Sequence, residues 1–151
     1  MELRFGIRKL GTNETGTALD LVWSVFQEYE APDYSEDGVK EFYSSIHDEK
    51  YFSELCMYGA FISEKLVGII ATRSKGTHIA LFFVDGKYHK KGIGKKLFQT
   101  VLMECSSGRM TVNASPYAIP VYRKLGFIDI DVEQVINGIR FTPMVYEIKK
   151  S

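Results

Sequence analysis

The sequence predicts an α+β domain, and three observations carry that prediction. Apolar residues recur at helical period in four segments. β-Branched and aromatic residues fill seven shorter runs, several joined by turn residues as hairpins. No repeat, low-complexity tract or linker separates them, so residues 1–151 are expected to form a single domain.

Taken in order, residues 3–8 alternate apolar and polar as a first strand, and Thr12 or Asn13 is placed to cap the first helix. Ala18, Leu21, Val22, Val25, Phe26 and Tyr29 define that helix over residues 17–29. Pro32 should end it, because the residue before a proline is pushed out of the α region. Val39, Phe42, Tyr43 and Ile46 face inward from a second helix over residues 35–47. Residues 56–63 and 66–74 form a hairpin about Ser63-Glu64-Lys65, and residues 79–84 form the next strand. A third helix comes after it, ending near Ser106-Ser107-Gly108, and then a short strand over residues 110–113. The fourth helix lies within residues 115–125. It should begin near Pro116 or Tyr117, since Pro120 lacks the N–H that a helix interior requires, and Gly126 stops it. Residues 127–136 and 139–148 make a final hairpin about Asn137-Gly138.

Composition narrows the function classes. The chain is 45% hydrophobic and 25% charged, and Lys plus Arg equals Asp plus Glu at 19 each. A balanced charge argues against binding nucleic acid or an acidic membrane. Cys56 and Cys105 show no metal-ligand spacing and sit among apolar neighbours, so no metal is expected and both read as inert thiols. No signal-peptide layout is present, nor an apolar run near the ~18 residues of a membrane span. A soluble cytoplasmic protein is the expectation.

Against that neutral background one stretch stands out. Lys87, His89, Lys90, Lys91, Lys95 and Lys96 gather where the third helix begins. The start of a helix already carries partial positive charge, so each cation there is misplaced by roughly 0.3–1 kcal/mol. A bound phosphate would resolve the conflict, accepting from the free N–H groups that Gly92 and Gly94 leave accessible. The loop is neither a P-loop nor a dinucleotide fingerprint. Lys96 and His89 stand where the first needs Ser/Thr and Gly, and Leu97 stands where the second needs a third glycine.

The stretch from Phe83 through His89-Lys90-Lys91-Gly92-Ile93-Gly94 resembles the pyrophosphate loop of GCN5-related N-acetyltransferases, whose form is Arg/Gln-x-x-Gly-x-Gly/Ala. Downstream, Asn113-Ala114-Ser115-Pro116-Tyr117-Ala118-Ile119-Pro120-Val121-Tyr122-Arg123-Lys124-Leu125-Gly126-Phe127 is similar to that family's Asn-x-x-Ala-x-x-x-Tyr-x-x-x-Gly-Phe segment. The resemblance implies a mostly antiparallel mixed sheet of about seven strands with about four helices. It also implies an acetyl-CoA-dependent N-acetyltransferase, of the acyltransferase class EC 2.3.1. The pantetheine arm would add to the strand edge at Phe83 and Val84, and the pyrophosphate would sit on His89, Lys90, Lys91, Gly92, Ile93, Gly94 and Lys95. Asn113 would contact the cofactor by its side-chain amide. Tyr122 would contact the cofactor too, and as general acid would protonate the leaving thiolate, a task for which an ordinary phenol pKa near ~10 is suitable. His89 departs from the pattern, because a neutral imidazole replaces a permanent charge.

The acceptor is less legible. Glu28, Glu30, Asp33, Glu36, Asp37 and Glu41 lie close together with only Lys40 against them, an acidic patch suited to a cationic small-molecule or peptide amine or else a solvated helix face. Tyr29, Tyr34 and Phe42 either line a slot there or pack in the core, and Glu30 and His78 are the candidates for a base. The final hairpin offers an edge for a homodimer. The competing reading is a non-catalytic acyl-CoA-binding or regulatory module that keeps the loop without turnover.

Overall fold

The computed structural model describes residues 4–148. Its strands are β1 (Gly6–Lys9), β2 (Cys56–Ile62), β3 (Lys65–Arg73), β4 (His78–Val84), β5 (Arg109–Ala114), β6 (Ile128–Asp129), β7 (Gln134–Ile136) and β8 (Ile139–Glu147). They are ordered β1-β2-β3-β4-β5-β8-β6, with β7 pairing β8 off that path. Among the described residues only the β4–β5 pair is parallel; the others are antiparallel. The expectation of a mostly antiparallel mixed sheet holds. Position 3 of the expected first strand lies outside the described residues.

Helices cover both faces, which is why β3 is apolar along nearly its whole length instead of alternating. On one face α1 (Thr15–Val25), α2 (Glu36–Ile46) and α3 (Glu49–Ser53) pack Val22, Val25, Ile46 and Phe52 on Ile69, Leu81 and Phe83. On the other face α4 (Ile93–Glu104) and α5 (Ile119–Leu125) pack Leu97, Phe98, Val101 and Tyr122 on Val67, Ile79, Val112 and Met144.

Four details differ from the sequence expectation. First, Ala31 stays in the α region (φ −54°, ψ −35°) despite preceding Pro32. The first helix instead ends through a π-turn (Phe26–Glu30) and a 3-10 turn (Ala31–Asp33). Pro32 stands in the first turn of the latter, where its missing N–H costs nothing. Second, α3 has no counterpart among the expected helices; it forms because the Asp48 side chain accepts from the Tyr51 N–H. Third, α5 begins at Ile119, later than Pro116 or Tyr117, because the Ser115 carbonyl first takes the N–H groups of Ala118 and Ile119 in a turn. Fourth, residues 127–136 do not run as one strand. The Ile130 N–H pairs with the Pro143 carbonyl, Asp131 turns the chain, and two short strands, β6 and β7, result.

The tight turn of the final hairpin is as expected, with Asn137 and Gly138 both left-handed (φ 52° and 81°). The hairpin tip lies on the start of α2. Gly38 and Gly138 approach so closely that a Cβ on either would strike the other's backbone. That contact brings β7 and β8 against the helical layer that borders the site.

Candidate active site

β4 and β5 pair only at His78↔Thr111 and Ile79↔Val112, and beyond Ile79 they part into a V. Backbone direction along β4 is set by its other edge. The Asp85 N–H donates to the Val67 carbonyl at 2.8 Å, so in this antiparallel ladder Asp85 and Phe83 face β3. Phe82 and Val84 therefore aim their N–H and C=O groups into the V. Of the two residues expected to offer backbone there, Val84 does so. Phe83 pairs toward Ile69, and its ring is buried beside Phe42 (centroids 6.1 Å apart).

At the open end of β4 the Asp85 carboxylate accepts from the Lys87 N–H at 3.0 Å and fixes a 3-10 turn (Gly86–Tyr88). His89 then bends back, and its Nε2–H donates to the Val84 carbonyl at 2.7 Å. Lys90 and Gly92 are both left-handed (φ 60° and 87°), which points successive N–H groups into one concavity. The first bond into α4 runs from the Lys96 N–H to the Gly92 carbonyl. The N–H groups of Lys90, Lys91, Gly92, Ile93, Gly94 and Lys95 donate to no described protein atom. The Ile93 side chain is buried and anchors the helix start, so this residue offers backbone alone. Lys87, Lys90, Lys91, Lys95 and Lys96 are all exposed, and none forms an ion pair among the described residues. Such an arrangement is chemically able to cradle an anion.

Tyr122 projects from α5, 5% exposed, with its ring against Phe82 and Phe127 (centroids 5.9 and 5.2 Å). Its hydroxyl bonds no described protein atom, yet no buried polar side-chain atom among the described residues lacks a partner, so the hydroxyl borders open space. Burial first, and the Glu30 carboxylate second, push its pKa well above the ordinary phenol value. It is a protonated donor at any physiological pH. Asn113 is exposed, on the face of β5 opposite Met110, Val112 and Ala114. It does not cap α5, which has no side-chain cap; the Ser115 hydroxyl accepts from the Ala118 N–H at 3.3 Å in the turn that leads into the helix.

Across from Tyr122, the π-turn at the end of α1 carries Tyr29 and Glu30. The Tyr29 ring lies 5.0 Å from that of His89 and 5.1 Å from that of Tyr117. Its hydroxyl presses on Gly86, where a Cβ would displace it. Glu30 is half-buried, and its pKa is raised to about 7 by burial, with Asp33 adding and the Ser115 hydroxyl opposing. Tyr34 is likewise raised, mainly by burial and then by Glu30. His78, the other candidate base, stands at the closed root of the V with Nδ1 2.8 Å from the Thr111 hydroxyl. Burial lowers its pKa to about 4, so it is a poor proton acceptor.

A family model described as "Acetyltransferase (GNAT) domain" matches residues 30–148. The chain belongs to the GNAT acetyltransferase family. No curated protein matches the sequence. Solved structures do resemble it. One is a GCN5-related N-acetyltransferase from Rhodopseudomonas palustris, 20% identical over 98% of both chains with a TM-score of 0.84. Another is the PaiA N-acetyltransferase from Thermoplasma acidophilum in complex with coenzyme A, 18% identical over 95% of this chain and 99% of that one, TM-score 0.72. A third is an aminoglycoside 6'-N-acetyltransferase complexed with coenzyme A, 15% identical over 97% and 98% of the two chains, TM-score 0.66. At these identities the likeness is one of fold.

In this GNAT acyltransferase the V, the cradle and Tyr122 come together at one end of the sheet. Three contributors were not legible in the sequence: Phe82, Ser115 and Arg140. Arg140 donates to the Asp33 carbonyl at 3.1 Å and pairs with Glu133, so a cation from β8 abuts the acidic segment. Alternation along residues 79–84 could have flagged Phe82; Arg140 is distant in sequence, and nothing local marks it. Among the described residues no helix is long and apolar enough to cross a membrane, and no cluster of His, Cys, Asp or Glu is disposed to hold a metal.

Proposed function

We propose that this GNAT protein transfers the acetyl group of acetyl-CoA to a primary amine by direct attack on the thioester, in the cytoplasm. One observation supports this reading above the rest. An open strand edge, a cradle of unpaired N–H groups and the free hydroxyl of Tyr122 line a single V. The residues fit coenzyme A. The amides of its pantetheine arm match the N–H and C=O groups of Phe82 and the N–H of Val84 as an added strand, and its pyrophosphate matches residues 90–95 with lysines around them.

The acceptor nitrogen attacks the thioester carbonyl, the C–S bond breaks, and the departing thiolate takes a proton from the Tyr122 hydroxyl. A cationic acceptor suits the acidic side of the mouth, where Glu28, Asp33, Glu36 and Asp37 are exposed. The test is calorimetric titration with CoA followed by thiol-release assays on acetyl-CoA with a panel of primary amines. Micromolar CoA binding and amine-dependent release are expected.

The second reading, a non-catalytic acyl-CoA-binding module, is favoured by His89, which stands at the usual Arg/Gln position and occupies the Val84 carbonyl. It predicts binding without release by any amine, and no effect of Tyr122→Phe.

A further inference from the structure

Glu30 combines two features that seldom occur together. It is a half-buried carboxyl on the wall of a reaction site, and it pairs with no cation among the described residues. The ion pairs among the described residues are Arg8–Glu14, Arg109–Glu147, Arg123–Asp129 and Arg140–Glu133; Glu30 belongs to none. Its neighbour Tyr29 packs on Gly86 and on the rings of His89 and Tyr117, 5.0 and 5.1 Å away, which seats the turn carrying Glu30 between the loop after β4 and the β5–α5 side. The groups that act on its carboxyl there are Asp33 from its own segment, Tyr34, and Ser115, Tyr117 and Tyr122 from the β5–α5 side. One of these is a further acid and the rest are neutral. A carboxylate so placed is costly unless a positive guest arrives.

We infer that Glu30 is the general base that takes the proton from the acceptor's ammonium group at the mouth of the V, an inference that rests on the acetyl-transfer reading above. The π-turn that carries Glu30 continues α1 on one face of the sheet, while α5 carries Tyr122 on the other, so base and acid approach the thioester from opposite sides. An extra residue in a helical turn is a recurrent device for aiming a side chain at a functional site.

The protons balance. The ammonium gives one proton to the Glu30 carboxylate, and the neutral amine's lone pair forms the new C–N bond. As the C–S bond breaks, the thiolate takes the Tyr122 hydroxyl proton, and Tyr122 recovers one from the nitrogen, which becomes the amide. Glu30 then releases its proton to solvent, for a net yield of amide, free CoA thiol and one proton. A pKa raised to about 7 suits this cycle, because the group both accepts and releases near neutrality.

The experiment compares the wild type, Glu30→Gln and Glu30→Asp in thiol release from acetyl-CoA with the best amine, from pH 5.5 to 9. CoA affinity is measured by calorimetry on each. The wild type should show kcat/KM falling on the acid side of about pH 7 and level above it. Glu30→Gln should lose about a hundredfold or more in kcat/KM. Its profile should lose that inflection and climb about tenfold per pH unit with the free-amine fraction, with CoA affinity unchanged. Glu30→Asp should keep the inflection at a reduced rate, and it decides the matter if Glu30→Gln fails to bind CoA. An unaltered rate and inflection in Glu30→Gln, or an inflection absent from Glu30→Asp, would overturn the role of Glu30 while leaving the acetyl-transfer reading intact. A wild type that binds CoA and releases no thiol with any amine overturns both.

Discussion

The imidazole of His89 reaches back five residues to Val84, and Nε2 donates to the carbonyl that the register directs into the V. The proton is thereby fixed on Nε2, and the loop is tied to the last residue of β4. Val84 offers an incoming pantetheine amide its N–H while its carbonyl is engaged. His89→Ala should loosen the loop and weaken CoA binding about fivefold, the worth of one positioning hydrogen bond of ~1 kcal/mol. Calorimetry measures this directly. Tighter binding in the variant would mean that the imidazole competes with the cofactor for the carbonyl and does not support the site.

The two loop glycines should behave differently. Gly92 is left-handed (φ 87°), so Gly92→Ala strains the backbone by about 1–2 kcal/mol although a Cβ there meets nothing. A fall in both melting temperature and CoA affinity, the latter at least tenfold, is expected. Gly94 lies in the first turn of α4, and its Cβ would rest 3.5 Å from the Phe82 ring, an ordinary contact. Gly94→Ala should leave CoA affinity within about threefold and raise stability by up to about 1 kcal/mol, as alanine does for glycine in a helix. Equal damage from both would refute a conformational cause.

Tyr122→Phe separates chemistry from packing. The ring is embedded, but the hydroxyl bonds no described protein atom, so its removal breaks no internal contact. The melting temperature and CoA affinity should stay as they are, while kcat drops on the order of a hundredfold. A large stability loss with unchanged kcat would make the tyrosine structural.

The range of the forces involved decides which features are legible in the chain. Local signals place most of the strands, the stop at Gly126 and the Asn137-Gly138 turn, because each depends on neighbours in sequence. The cation cluster at the start of α4 exposes its need for an anion for the same reason. Features set by tertiary contact escape. Whether Phe82 or Phe83 aims its backbone into the V depends on register with β3, fixed by pairs such as Asp85 and Val67. The π-turn at residues 26–30 has no helical-period signature distinct from the α-helix before it. Glu30 and His78 look alike as bases until burial and position in the V distinguish them.

Glu30 should also cost the fold stability in a defined pH window. Its pKa is raised from 4.5 in the unfolded chain to about 7 in the folded one. Between those values the folded chain holds a proton that the unfolded chain has released, so stability falls as pH rises through the window. Above about pH 7 the folded chain carries a desolvated carboxylate and the penalty is complete. Glu30→Gln removes the charge and keeps the shape. It should therefore gain about 1–3 kcal/mol over the wild type at pH 8 and nothing at pH 4. Urea unfolding of the two proteins at both values checks it. A gain that is the same at both pH values would come from packing, and a loss at pH 8 would mean that the carboxylate has a stabilising partner in the fold.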